Sequence, residues 1–167
     1  RILDFKKSIK KADFNYGISL RKQNVNSEAN FSPANNLLKN TTRYPDGGSK
    51  VIDAAIYTQF KYKVLKNTTI FFGERYNLNY LSARFNDNSI YNLPYNEITT
   101  KNTSLVSSIL LQQKLSTKIT TNISYYMGYR NPNIDDVGKI FSKNDVSVVV
   151  PNENLQPEKT NNIEYNL

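Results

Sequence analysis

Residues 129–167 read YRNPNIDDVGKIFSKNDVSVVVPNENLQPEKTNNIEYNL, and the two ends of this stretch decide the fold. An aromatic strand end runs into Arg130-Asn131-Pro132-Asn133. A polar loop follows, then Pro151-Asn152-Glu153-Asn154-Leu155-Gln156-Pro157-Glu158, and alternation resumes at Ile163. Proline fixes φ, and asparagine bonds nearby backbone or adopts the left-handed conformation. The pattern is a long loop pinned at both feet between two strands.

Upstream, residues 119–130 alternate cleanly. Ile119, Thr121, Ile123, Tyr125, Met127 and Tyr129 oppose Thr120, Asn122, Ser124, Tyr126, Gly128 and Arg130. Side chains of a strand point to opposite faces in turn, so one face suits an apolar medium and the other water. Ala12, Phe14, Tyr16, Ile18 and Leu20 repeat the pattern, as do Ile52, Ala54, Ile56, Phe60, Tyr62 and Val64 within residues 51–64. Residues 68–85 place Ile70, Phe72, Tyr76, Leu78 and Tyr80 on one face. Glu74 falls among them, which calls for either a bulge or a partner. Residues 103–115 leave two parities open, one from Leu105, Ile109 and Leu111, the other from Val106 and Leu110. Residues 1–5 read as a strand tail and 6–11 as a basic turn.

Connection lengths alternate. Residues 6–11, 65–67 and 116–118 are short, whereas 27–50, 86–102 and the loop after Arg130 are long. Outer-membrane barrels put short turns on the periplasmic side and long loops outside. The expected fold is therefore all-β: antiparallel up-and-down hairpins forming part of a large transmembrane β-barrel. Residues 1–167 make one partial barrel domain of about six strands. On that reading Phe14, Phe60, Tyr62 and Phe72 approach one membrane interface, and Tyr80 and Tyr129 the other. Arg1 in place of methionine, and a strand pattern running into Leu167, suggest a piece of a longer chain.

The two feet resemble paired boxes near the C-terminus of TonB-dependent outer-membrane receptors. There an arginine–small residue–proline–asparagine box ends one barrel strand, and an asparagine–proline–asparagine–leucine–x–proline–glutamate box opens the next. Arg130, Pro132 and Asn133 match the first; Pro151, Asn152, Asn154, Leu155, Pro157 and Glu158 match the second, with Glu153 where the family usually has proline. Arg43-Tyr44-Pro45-Asp46-Gly47-Gly48-Ser49 and Gly73-Glu74-Arg75-Tyr76 also look like barrel segments of these receptors. The resemblance implies a barrel of about 22 strands around a plug domain, with the plug absent from this stretch. It implies a bacterial outer-membrane location and energy-coupled uptake of a scarce ligand of the ferric siderophore, haem or cobalamin class. The implied partners are outer-membrane lipid, the receptor's own plug, the inner-membrane TonB complex acting through that plug, and the extracellular small ligand. Haem receptors of the family often carry a ligand histidine between the boxes; none lies between Pro132 and Pro151 here.

Composition narrows the chemistry. The 167 residues are 38% hydrophobic with net charge +8, yet the cations are scattered through turns and strands without a basic helix. Solvated turns and lumen therefore account for them better than nucleic acid. No apolar run approaches the ~20 residues of a membrane helix. With no Cys and no His, thiolate and imidazole catalysis and their metal sites are not expected, nor is a cofactor. Asp135-Asp136 reads as a solvated or capping pair, and its spacing matches no EF-hand. The box residues are expected to be structural, with Arg130 and Glu158 paired across the loop's feet. Candidate ligand contacts are Arg43, Tyr44, Tyr91, Tyr95 and Lys139. The alternative to a receptor is a non-transporting β-protein, either a passive outer-membrane channel or a surface-binding sheet domain.

Overall fold

The computed structural model describes residues 1–31, 38–39, 42–87, 92–144 and 147–167. Seven strands form one antiparallel sheet, each hydrogen-bonded to the next long strand in the chain. They are β1 (Ile2–Ile9), β2 (Ala12–Val25), β5 (Ser49–Leu65), β6 (Thr68–Arg84), β7 (Glu97–Lys114), β8 (Thr120–Arg130) and β11 (Glu158–Asn166). Two small hairpins sit in the long connections: β3 (Asn30–Phe31) with β4 (Leu38–Lys39), and β9 (Phe141–Asn144) with β10 (Ser147–Val149). A single helical turn, α1 (Ile134–Val137), follows β8. The sheet is all-β, up-and-down and open, consistent with part of a barrel wall.

Three expectations need correction. Residues 2–9 are a full strand paired with β2 from Ile2↔Ser19 to Ile9↔Ala12, so the turn shrinks to Lys10 and Lys11. Lys6 and Lys7 masked that alternation by putting charge on both faces. β7 starts at Glu97 rather than at residue 103, because its early residues pair along β6 from Arg84↔Glu97. The main sheet therefore holds seven strands rather than six. Its short turns still lie at one end and the long connections at the other.

Register settles the faces. Ile18↔Ile56↔Tyr76↔Leu105 share a row, as do Phe14↔Phe60↔Phe72↔Ile109↔Tyr125. Leu105, Ile109 and Leu111 thus decide the parity of β7, and Val106 and Leu110 point the other way. The apolar face is the uncovered one: Ile56 is 60% exposed, Leu105 54% and Ile123 52%. On the opposite face Ala55, Asn79 and Ser104 are buried. A water-soluble sheet domain has the reverse arrangement, with apolar side chains inside.

Glu74 lies on the apolar face between Thr58 and Ser107, with unbroken register on both sides. Of the two alternatives, the bulge is absent. Among the described residues Glu74 makes no hydrogen bond or ion pair either. Its strand-to-strand neighbours are the short hydroxyl side chains of Thr58 and Ser107, which leave it half-buried without a partner.

Toward the long-loop end the polar face turns apolar. Val51, Leu81, Ala83 and Ile98 sit there and are covered by Phe85, Leu93, Ile134, Val137 and Ile140. Tyr44, Tyr95, Leu155 and Val25 pack around this core. These described loop residues therefore fold inward over one end of the polar face. Burying each large aliphatic side chain contributes roughly 1.5–3 kcal/mol, enough to hold loops that have little other secondary structure.

Candidate functional site

The two boxes meet at one centre. Arg130 and Glu158 are direct cross-strand partners, and Arg130 Nη1 donates to Glu158 Oε1 at 2.8 Å. The expected pair is formed. Arg130 Nη2 also reaches both carboxylate oxygens of Asp136, at 3.0 and 2.8 Å. Sequence reasoning missed this third member because it sits on α1 rather than on a strand.

Box asparagines act as local turn chemistry. Asn133 caps α1: its side chain accepts from the Asp136 N–H at 3.0 Å, while Asp136 Oδ2 accepts from the Asn133 N–H at 3.0 Å. Such a reciprocal box satisfies two otherwise orphaned donors. Asn152 Oδ1 accepts from the Asn154 N–H at 2.9 Å. Its own N–H donates to the Val137 carbonyl at 3.1 Å, tying the second box to the helical turn. Pro132 and Pro151 are buried and Pro157 is half-buried. Leu155 packs against the loop core. The boxes thus hold α1 and residues 151–157 against the loop end of the sheet.

Of the candidate ligand contacts, Arg43, Tyr44 and Lys139 converge on Asp135. Arg43 stands 4.0 Å from it and Lys139 3.8 Å. The Tyr44 phenol titrates above its ordinary value, chiefly through its hydrogen bond to Asp135. Tyr95 is held apart from them, packed on Phe85 and donating to the Pro151 carbonyl at 2.7 Å. Burial pushes its phenol up as well. Tyr91 lies outside the described residues. Asp135 and Asp136 are thus engaged by cations separately, and among the described residues no acidic cluster has the form of a metal site.

A second polar cluster lies mid-sheet on the face opposite the apolar one. Tyr57 crosses over Gly17 to donate to Asp4. A Cβ at Gly17 would come within 2.6 Å of the Tyr57 hydroxyl, so the crossing needs glycine there. The Arg75 guanidinium lies over the Tyr57 ring at 5.3 Å. It donates to Asn77 Oδ1 at 2.7 Å and to Ser19 Oγ at 2.9 Å. Two rows from Tyr57 and Arg75 toward the loops, Asp53 accepts from Arg21 at 2.7 Å and from Asn79 at 2.7 Å. This network spans β1, β2, β5 and β6. It is invisible in single-strand patterns because its members meet only through register.

Compared with known proteins, the chain matches no family model and no curated sequence.

Proposed function

We propose that this sheet is wall from the β-barrel of a TonB-dependent receptor in the bacterial outer membrane, taking up a scarce ferric siderophore, haem or cobalamin. One observation supports the membrane reading above all others: the exposed face is apolar while the opposite face is a hydrogen-bonded polar network. The apolar band on β6 runs from Ile70 to Tyr80 and is interrupted by Glu74. Ten residue steps at about 3.3 Å make about 33 Å along the strand, or about 25 Å of height at a tilt near 40°, the usual apolar band of outer-membrane barrels. Beyond Tyr80 that face carries Ser82 and Arg84, with Lys50, Thr99 and Glu97 beside them.

The inward-folded loops support a receptor over an open passive channel. Ile134, Val137 and Ile140 cover the polar face at its loop end, where a passive channel needs clearance. The paired boxes supply the family resemblance, and the plug and the TonB complex are the partners it brings. The test is uptake by cells carrying the whole receptor, offered radiolabelled ferric siderophore, haem and cobalamin in turn. Accumulation of one ligand that stops when the proton gradient is collapsed agrees with the proposal. Uptake indifferent to collapse contradicts it and favours a passive channel.

A further inference from the structure

Each of the three short turns carries lysine, and none carries a carboxylate. Lys10 and Lys11 make the first, Lys66 and Asn67 the second, and Lys118 lies in the third beside Ser116 and Thr117. Antiparallel pairing brings all three turns to one end of the sheet. Lys7 joins them from β1, as the cross-strand partner of Phe14. All five lysines are exposed, and among the described residues none of them forms an ion pair. The long-loop end is different. Its lysines stand among acids, and Arg21, Arg84, Arg130 and Lys139 each face a carboxylate.

The rim borders the apolar face. Ala12, Tyr62, Ile70, Leu111 and Ile123 form the last apolar row before the turns. Lys7 stands one row inside it and the turn lysines just beyond. Asp13 and Glu164, the acids near this end, lie on the polar face instead. A lysine stem can lie along apolar surface while its ammonium reaches the polar boundary. Like charges gathered at one edge repel each other, and an array of phosphates turns that repulsion into attraction.

We propose that this lysine rim docks the headgroups of anionic phospholipids in the leaflet nearest the short turns. The inference rests on the barrel reading given above. Lysine binds phosphate as a point charge, and each lysine close to an anionic surface favours it about fivefold.

The test is electron spin resonance of the intact protein in phosphatidylcholine bilayers, with trace chain-labelled phosphatidylglycerol or phosphatidylcholine. Lipid held against a barrel wall gives a motionally restricted signal. The restricted fraction is expected to favour phosphatidylglycerol at least about twofold, the local preference being averaged over lipids with no lysine nearby. That preference should disappear in about 1 M KCl, where the screening length falls to about 3 Å. It should also disappear when Lys10→Gln, Lys11→Gln, Lys66→Gln and Lys118→Gln are combined, and persist when the same four become arginine. Equal restriction of the two lipids by the parent protein overturns the proposal and leaves the barrel reading standing. A preference that survives high salt or the glutamine changes also overturns it. No restricted signal from either lipid overturns both.

Discussion

Arg130 holds two carboxylates from different elements, and they are unequal in what they secure. Glu158 is 69% exposed, and an exposed pair contributes about 0–1 kcal/mol. Asp136 both binds the guanidinium and closes the capping box on Asn133. Its carboxylate also satisfies the otherwise orphaned Asn133 N–H, so its loss removes that contact together with the ion pair. Limited proteolysis between residues 134 and 150 should therefore speed up more in Asp136→Asn than in Glu158→Gln, with the sheet intact in both. Equal rates would mean that the cap does not hold the loop. The tyrosines of the same loops respond to pH. The Tyr44 and Tyr95 phenols are raised above 10.0 in the folded chain, so the protonated form is the one folding favours. Their contribution is full below the unfolded value and is lost as pH rises through the folded one. Alkaline titration should release the loops on the high side of pH 10, and Tyr95→Phe should remove its share of that dependence.

At the scale of elements, legibility followed the purity of alternation. β2 and β8 were readable because nearly every apolar residue kept one parity, and Pro132, Asn133, Pro151 and Asn152 announced the loop's feet. β1 was not, since Lys6 and Lys7 charge both faces. The start of β7 was missed because Ile98 points to the face that looked polar. That face is apolar only near the loops, where Val51, Leu81 and Ala83 meet Ile134, Val137 and Ile140. The covering residues are scattered singly through polar segments, so periodicity could not collect them. Leu81 is fully buried, and truncating a buried leucine costs about 2–5 kcal/mol. Leu81→Ala should therefore lower the unfolding midpoint and open residues 131–157 to protease, although Leu81 itself lies on β6. On the apolar face the expectation is different. Arginine at mid-membrane on a barrel's lipid face costs roughly 2–4 kcal/mol, whereas lumen positions tolerate charge. Ile56→Arg should destabilise the lipid-embedded protein far more than Gln59→Arg, which lies on the opposite face of β5; equal midpoints would reject the face assignment.

For the whole molecule, the open sheet has two edges, β1 and β11, each paired on one side only. Unpaired strand edges are costly in hydrocarbon, and barrels remove them by closure. The proposed barrel would supply a further strand at each edge. In the proposed barrel the exposed apolar face meets lipid and the opposite face meets water. Spin labels placed singly along β6 in the membrane-reconstituted protein test it most directly. Labels at Phe72, Tyr76 and Leu78 should be relaxed by oxygen dissolved in lipid. Labels at Phe71, Arg75 and Asn77 should instead respond to a water-soluble nickel chelate. Access of the chelate to both sets, or no two-residue alternation, would contradict it.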